Sequence, residues 1–235
     1  MSIRPIIVIC AHNEEAWIGK TMELIHELPR KVQVIVVDDG STDRTAAIAS
    51  ANGAHVVTLS QNRGKANAFF AGLRAALKQR ATSVLTLDAD MVRLDRRVIL
   101  QMMRHAEEAT AKRKKHMTIA ATSELIEMGH EKIPLAQGTY FSGIRSFSLA
   151  GVYHILQHPH KRLVGGYALE EFLNQAFRPE QRMEILHTLF NQREPIRTIA
   201  ARTHEAEDIM RFQDRMAQRR KKRRPVMSRR KKGFK

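Results

Sequence analysis

The sequence predicts an α/β protein with a mostly parallel central sheet, and two observations carry that prediction. Short apolar runs rich in Val and Ile alternate with longer segments whose apolar residues recur at helical spacing. Several of the apolar runs end directly in acidic or turn-forming residues, as buried strands do where a sheet meets solvent. The alternation indicates right-handed crossovers that place helices on both faces of the sheet.

The first half of the chain is the more regular. We expect strands over Pro5–Ala11, Val32–Val37, His55–Leu59 and Val84–Leu87, and helices over Glu15–Glu27, Thr42–Ala51, Ala66–Gln79 and Leu94–Thr110. Asn13 is predicted to cap the first helix, with Glu14 and Glu15 favourably placed in its first turn.

The second half has weaker periodicity. The pattern predicts strands over Met117–Thr122, Met183–Phe190 and Ile196–Ala200, and helices over Ser148–Leu156, Leu169–Phe177 and Ala206–Arg224. Residues Gly129–Gly143 show no clear period, so a loop with short helical pieces is expected there.

Charge is concentrated at the end of the chain. The 235 residues carry a formal net charge of +16, of which 11 positive residues and no acid lie in 219–235. The single cysteine, Cys10, excludes an internal disulfide and fits a reducing compartment. No secretory signal pattern and no apolar run of about 18 residues is present, so a cytoplasmic protein is expected.

Acidic residues follow two of the predicted strands. Asp38-Asp39 follows the second strand and Asp88-Ala89-Asp90 follows the fourth. The carboxyl ends of parallel strands are where open α/β sheets bind ligands, and two carboxylates one residue apart can share a hard divalent cation that bridges phosphate oxygens. Gly64-Lys65 adds a cation for the same phosphates. The alternative for the acidic triplet is a solvated turn that caps a helix.

Four segments in a fixed order carry a resemblance to a known family. They are Ile7–Glu14, Val36–Asp43, Asn62–Lys65 and Leu87–Asp90. The series resembles the family 2 glycosyltransferases, and within them the polyprenyl-phosphate (dolichol-phosphate mannose synthase-like) subgroup. The resemblance implies a GT-A fold, a Rossmann-like three-layer sandwich. It also implies a glycosyltransferase domain over 1–204, with a nucleotide-sugar half (1–110) and an acceptor half (111–204). A C-terminal helix and basic tail, partly disordered, would follow over 205–235.

The activity implied by the resemblance is a metal-dependent, inverting transfer of a sugar from a GDP- or UDP-sugar. Carried over by motif, Cys10, His12 and Glu14 would line the pocket for the base and ribose, and Val37 and Asp39 would hold the same groups from the second strand. His12 stands where the family commonly has an aromatic residue, so base stacking would be weaker or would use the imidazole.

The diphosphate would lie against Asp88-Ala89-Asp90, with Lys65 nearby. Asp90 is the best candidate to ligate Mg²⁺ or Mn²⁺ directly, and Asp88 would assist. Val92 stands where the subgroup often has a metal-binding Gln, and it cannot coordinate. His204 is therefore a candidate third ligand, although a histidine in an ordinary surface loop is the alternative.

The acceptor side has three candidate residues. Arg145 would face a donor or acceptor phosphate. Glu170 and Glu171 stand where inverting relatives carry acids near the acceptor, and one of them could act as general base for an acceptor hydroxyl. The alternative is that both acids begin a solvated helix.

Three functions remain open at this stage. The first has a polyprenyl phosphate acceptor at the cytoplasmic membrane face, and the basic tail would hold the protein at anionic lipid as a peripheral protein. The second keeps the chemistry but uses a soluble acceptor, namely a sugar, a glycerate-type acid or a protein. The third is a nucleotide- or nucleic-acid-binding protein without catalysis. Nucleic-acid binding is disfavoured because aromatic residues do not alternate with the basic residues of the tail.

Overall fold

The computed structural model describes residues 3–91, 93–122, 124–128, 131–135, 143–165, 168–187 and 210–218. The strands are β1 (Pro5–Ala11), β2 (Gln33–Asp38), β3 (His55–Thr58), β4 (Ser83–Asp88), β5 (Met117–Thr122), β6 (Glu124–Met128), β7 (Glu131–Leu135), β8 (Arg145–Ser148) and β9 (Arg182–His187). The helices are α1 (Ile18–His26), α2 (Thr45–Ala51), α3 (Lys65–Lys78), α4 (Arg96–Ala111), α5 (Leu149–Gln157) and α6 (Ala168–Ala176). Residues 210–218 are also helical.

A seven-stranded sheet in the order β3-β2-β1-β4-β8-β5-β9 forms the centre of the fold. The strands β3, β2, β1 and β4 are parallel, β8 runs antiparallel to both of its neighbours, and β9 is parallel to β5. A separate antiparallel pair joins β6 to β7. The predicted α/β class with a mostly parallel sheet is therefore confirmed.

Each face of the sheet packs against its own layer of helices because successive strand residues point to opposite faces. Ile6, Val8, Ile35 and Val37 pack with α3, α5, α6 and the 210–218 helix. Ile7, Ile9, Val34 and Val36 pack with α1 and α4 on the other face. The result is a three-layer α/β/α sandwich in which β1 and β2 are buried on both faces.

The layer formed by α3 approaches the sheet closely at Gly72. A Cβ at this position would lie 2.4 Å from Val8 Cγ1 and 3.1 Å from Val37 Cγ2. No real side chain tolerates the shorter distance, so the absence of a side chain lets α3 lie against β1 and β2. This contact fixes the distance of α3 from the sheet, and with it the position of Lys65, the first residue of α3, at the end of the sheet.

Three expectations about local structure were wrong. The first helix begins at Ile18 and not at Glu15, and Asn13 adopts a positive φ of 55° instead of capping it. Part of the expected loop over 129–143 is the strand β7. The strand β8 was not predicted at all. The expected strand Ile196–Ala200 lies outside the described residues.

Candidate functional site

The loops that follow β1 and β2 are joined by reciprocal hydrogen bonds. Asn13 N donates to Ser41 Oγ (2.9 Å), and Thr42 N donates back to Asn13 Oδ1 (2.9 Å). One turn further, Glu14 N donates to Thr45 Oγ1 (2.7 Å). These bonds explain why Asn13 leaves the helix, because its side chain holds the second loop instead. The hydrogen bonds fix the two loops against each other at the carboxyl edge of the sheet.

The two acids after β2 have local backbone partners. Asp38 is 2% exposed, and its Oδ1 accepts from Ser41 N (3.0 Å), which closes an Asx-type turn. Asp39 is 3% exposed, and its Oδ1 accepts from Arg63 N (2.9 Å). His12 Nδ1 donates to the Asp39 carbonyl oxygen (2.9 Å). Asp38 therefore shapes the loop, and Asp39 connects it to the segment that leads into α3.

The acidic triplet ends β4 and is held from α1 by a single hydroxyl group. Thr21 is fully buried, and its Oγ1 donates to the Ala89 carbonyl oxygen (2.7 Å) and accepts from Met91 N (3.0 Å). Ala89 is buried, while the side chains of Asp88 and Asp90 are partly exposed at the edge. The turn thus holds the carboxylates of Asp88 and Asp90 at the sheet edge. Thr21 provides hydrogen-bond partners for the backbone carbonyl of Ala89 and the backbone N–H of Met91.

A pocket at the same edge brings together residues from both halves of the chain. Cys10, Lys65, Asp88, Arg145 and Glu170 all line it. Lys65 Nζ lies 3.2 Å from Asp88 Oδ1 and 3.0 Å from Glu170 Oε1. One lysine from α3 therefore joins the acidic strand end of β4 to the first turn of α6.

The electrostatics of this pocket favour a charged lysine and a neutral thiol. Burial by itself would lower the pKa of Lys65, but the negative charges of Asp88 and Glu170 outweigh it and raise the pKa above its usual range. The Lys65 side chain nevertheless remains 41% exposed. Burial raises the pKa of Cys10 to about 12, so its thiol stays protonated and unreactive at neutral pH.

Arg145 forms the floor of the pocket. It is 0% exposed, and its Nη1 donates to Asn174 Oδ1 (2.8 Å) on α6. Burial lowers the pKa of Arg145 to about 10, although the charge of Glu170 opposes that effect. The guanidinium therefore stays charged at neutral pH and gives the pocket a positive potential. It does so from a buried position, without contact with solvent.

Gly143 closes the pocket above the Lys65–Asp88 pair. A Cβ at Gly143 would lie 2.3 Å from Asp88 Oδ1 and 2.9 Å from Lys65 Nζ. The Gly143 carbonyl oxygen accepts from Thr86 Oγ1 (2.8 Å), which ties the segment before β8 to β4. Any larger residue here would push into the ion pair.

Val37 and Glu171 are among the predicted site residues that do not line the pocket. Val37 is fully buried with its side chain in the core beneath α3, so only its backbone is left for contact with a ligand. Glu171 Oε1 accepts from Gln175 Nε2 (2.6 Å) and Gln213 Nε2 (3.3 Å), which joins α6 to the 210–218 helix. Of the two adjacent acids, Glu170 is the one that lines the pocket.

The described residues contain no cluster of three or more His, Cys, Asp or Glu side chains arranged to hold a metal ion. Asp88 and Asp90 offer hard oxygen donors at one strand end, which suit Mg²⁺ or Mn²⁺ if phosphate and water complete the shell. His204, the predicted third ligand, lies outside the described residues. No described helix is long and apolar enough to span a bilayer.

Sequence reasoning missed two hydroxyl groups that organise the site. Thr21 lies on the buried face of α1 beside Ile18, Met22 and Ile25. Thr86 interrupts the apolar run of β4. A polar residue on an otherwise apolar buried face needs a hydrogen-bond partner, and that signal could have pointed to both.

Comparison with known proteins agrees with this geometry. Residues 6–114 match the sequence model of glycosyl transferase family 2. This part of the chain is similar to the family 2 glycosyltransferases. The matched segment contains β1 to β4, the acidic triplet and Lys65, and the predicted family is thereby confirmed for this part of the chain.

Relatives in sequence match the same region. A Staphylococcus aureus 4,4'-diaponeurosporenoate glycosyltransferase is 39% identical over 90 residues, which cover 36% of this chain and 23% of that protein. An uncharacterised protein of Methanocaldococcus jannaschii is 38% identical over 84 residues, which cover 36% of this chain and 34% of that protein. The match thus spans about a third or less of each relative's length.

Solved structures share the whole fold. Mannosyl-3-phosphoglycerate synthase from Rubrobacter xylanophilus superposes with a TM-score of 0.67 at 17% identity, covering 99% of this chain and 79% of that one. Glucosyl-3-phosphoglycerate synthase from Mycobacterium tuberculosis, in complex with Mn²⁺, UDP and glucosyl-3-phosphoglycerate, gives 0.65 at 18% identity, covering 90% and 79%. The fold is the GT-A fold, as predicted.

Proposed function

We propose that this protein transfers a sugar from a nucleoside-diphosphate sugar to an acceptor with inversion, aided by Mg²⁺ or Mn²⁺. The observation that carries the proposal is the pocket at the carboxyl edge of the sheet, where Lys65 contacts both Asp88 and Glu170. Asp88 and Lys65 belong to the segments that resemble family 2. The Mn²⁺ and UDP in the complex of the Mycobacterium tuberculosis structure support the choice of donor and metal.

Asp88 and Asp90 would hold the metal, which would neutralise the diphosphate as it leaves. The walls formed by His12, Glu14 and Asp39 would surround the nucleoside. Lys65 would turn from Asp88 to the diphosphate, and its exposed fraction of 41% leaves it room to do so. Its charge would then stabilise the departing nucleoside diphosphate.

Glu170 is the residue we assign as general base. It is 6% exposed, lines the pocket, and contacts Lys65, whereas Glu171 bonds to glutamines outside the pocket. In the transfer, an acceptor oxygen would bond to the anomeric carbon while the bond from that carbon to the diphosphate breaks. The diphosphate would keep the electron pair. A hydroxyl acceptor would give its proton to Glu170, whereas a phosphate anion would attack without losing a proton.

Two acceptors are candidates, and both carry negative charge. A small phosphorylated acid is supported by the names of the structural neighbours, which are phosphoglycerate synthases. A polyprenyl phosphate is supported by the basic tail, whose 11 positive residues suit an anionic membrane. In both cases the buried charge of Arg145 favours an anionic acceptor.

The test is sugar transfer by the purified chain with UDP- and GDP-sugars, with Mn²⁺, with Mg²⁺ and with chelator. Asp90→Ala should lower transfer at least about 100-fold, since it removes a metal ligand at the diphosphate. Asp214→Asn, which alters an exposed acid on the 210–218 helix, should leave transfer unchanged. Full activity of Asp90→Ala would contradict the metal role. Parallel assays with 3-phosphoglycerate and a short polyprenyl phosphate decide the acceptor.

A further inference from the structure

The fold is polarised in charge along the direction of its parallel strands. The carboxyl ends of the strands carry the acids of the candidate site. The opposite, amino-terminal ends carry exposed cations, and we call this surface the basic edge. Its eight exposed cations are Arg4, Lys31, Lys78, Arg80, Lys112, Arg113, Lys114 and Lys115.

Hydrogen bonds between neighbouring connections make the basic edge continuous. Arg4 N donates to Thr82 Oγ1 (2.8 Å), and Arg4 Nη1 donates to the Gln79 carbonyl oxygen (3.0 Å). Gln33 also bonds to Gln79, and Thr110 Oγ1 donates to the Thr82 carbonyl oxygen (2.8 Å). The segments that lead into β1, β2, β4 and β5 are therefore held side by side.

Acids do little to neutralise this surface. Among the residues that the structure describes, none of the eight cations forms an ion pair. Glu107 lies nearby but pairs with Arg30 (3.0 Å). The charge is thus available to an outside partner. In the sequence, these eight cations lie outside the basic segment 219–235.

We propose that the basic edge docks the protein on an anionic lipid bilayer. The edge extends from β2 to β5, four strand spacings or about 19 Å, which suits a flat partner better than a small ligand. Ile3 is 62% exposed beside Arg4 and offers an apolar side chain to the lipid interface. No aromatic side chain lies among the eight cations to stack on bases, which favours lipid over nucleic acid.

Docking in this way would point the candidate site away from the membrane. β1 is seven residues long, so the site would lie about 20 Å above the basic edge. This consequence rests on the proposed function, and it favours the small phosphorylated acid over an acceptor whose phosphate stays at the lipid surface. Vesicle binding can be measured without any sugar donor, so it tests the docking independently of the transfer reaction.

The first experiment measures sedimentation of the full chain with phosphatidylglycerol-rich vesicles and with pure phosphatidylcholine vesicles. A variant that combines Lys112→Ser, Arg113→Ser, Lys114→Ser and Lys115→Ser (the 112–115 variant) should bind anionic vesicles at least about tenfold more weakly than the parent. A control with Ser at Lys20, Arg44, Arg97 and Arg215 removes the same charge elsewhere and should stay within about threefold of the parent. Equal binding by both variants and the parent would show that the tail alone binds lipid, and would overturn the proposal.

The second experiment determines the orientation. Environment-sensitive fluorophores are attached to Ala111→Cys on the basic edge and to Thr42→Cys at the site edge, while the native Cys10 lies in the pocket wall. Anionic vesicles should change the emission of the probe at 111 and not that at 42. A response at 42 alone, or at neither position, refutes the docking. Tighter binding of RNA than of vesicles, lost in the 112–115 variant, would instead identify a nucleic-acid surface.

Discussion

The hydroxyl group of Thr21 offers the sharpest test of how the fold builds the site. Thr21→Val keeps the shape of the side chain but removes the hydroxyl that donates to the Ala89 carbonyl oxygen (2.7 Å) and accepts from Met91 N (3.0 Å). Both backbone groups would then be buried without this partner, at about 1–3 kcal/mol each. We expect Thr21→Val to lower the free energy of unfolding by about 2–6 kcal/mol.

A matched substitution separates the hydrogen bonds from the packing. Thr21→Ser keeps the hydroxyl and loses one methyl group, which costs about 1 kcal/mol. For a chain of this length the valine variant should melt roughly 5–25 °C below the parent, and the serine variant a few degrees below it. The loss of stability in the valine variant measures the contribution of the hydroxyl, and the loss in the serine variant measures that of the methyl group.

The local consequence is measured by calorimetric titration of UDP in the presence of Mn²⁺. Because Thr21 holds the turn that presents Asp88 and Asp90, the valine variant should bind roughly tenfold more weakly even at temperatures where it is fully folded. The serine variant should bind like the parent. Equal melting temperatures and equal affinities in the two variants would refute the reasoning, since they would show that the hydroxyl positions nothing.

Three further predictions concern the pocket and its supports. Gly143→Ala should weaken Mn²⁺–UDP binding in calorimetry with little loss of stability, because the new Cβ would lie 2.3 Å from Asp88 Oδ1. Asn174→Ala removes an amide partner of the buried Arg145 and should cost about 1.5–3 kcal/mol in urea unfolding, whereas no change would show that the bond is dispensable. Burial lowers the pKa of His158 to about 4, so stability should fall as pH drops from about 6.5 to about 4, and His158→Gln should flatten that part of the melting-temperature profile.

The first half of the fold was predictable because its strands are continuous apolar runs between turn residues. The observed strand β1 matches its predicted range, and β2, β3 and β4 differ from theirs by at most one residue at each end. A strand segment buried on both faces needs apolar side chains at successive positions. All of β1 and the residues 34–37 of β2 have them. The sequence alone therefore shows both the strands and the edge at which the acids meet.

The strand β8 was not predictable in this way because three of its four residues are polar. Arg145, Ser146 and Ser148 are 0% exposed, and their partners are supplied by distant parts of the chain. Ser146 Oγ donates to the Met102 carbonyl oxygen (2.8 Å), and Arg145 Nη1 donates to Asn174. When buried residues are polar and bonded to distant partners, the sequence shows no alternation of apolar and polar residues from which a strand could be predicted.

The candidate site was predictable only in part, for a related reason. The position of Asp88 at a strand end follows from local pattern, and its place in the pocket agrees with that prediction. The contact between Lys65 and Glu170 depends on how α3 and α6 pack, which no local pattern encodes. The roles assigned to the individual residues remain predictions for the experiments above.

The acids at the sheet edge differ in how firmly their partners are fixed, and that difference identifies the acid that can exchange its partner. Asp38 and Asp39 accept from the backbone N–H groups of Ser41 and Arg63, which cannot leave unless the loops unfold. Asp88 instead contacts the ammonium group of Lys65, a flexible side chain that is 41% exposed. Of these three acids, Asp88 is therefore the one that contacts a flexible side-chain cation, which a divalent ion could replace. If the released lysine then binds the diphosphate that arrives with the metal, the positive charge stays within the pocket.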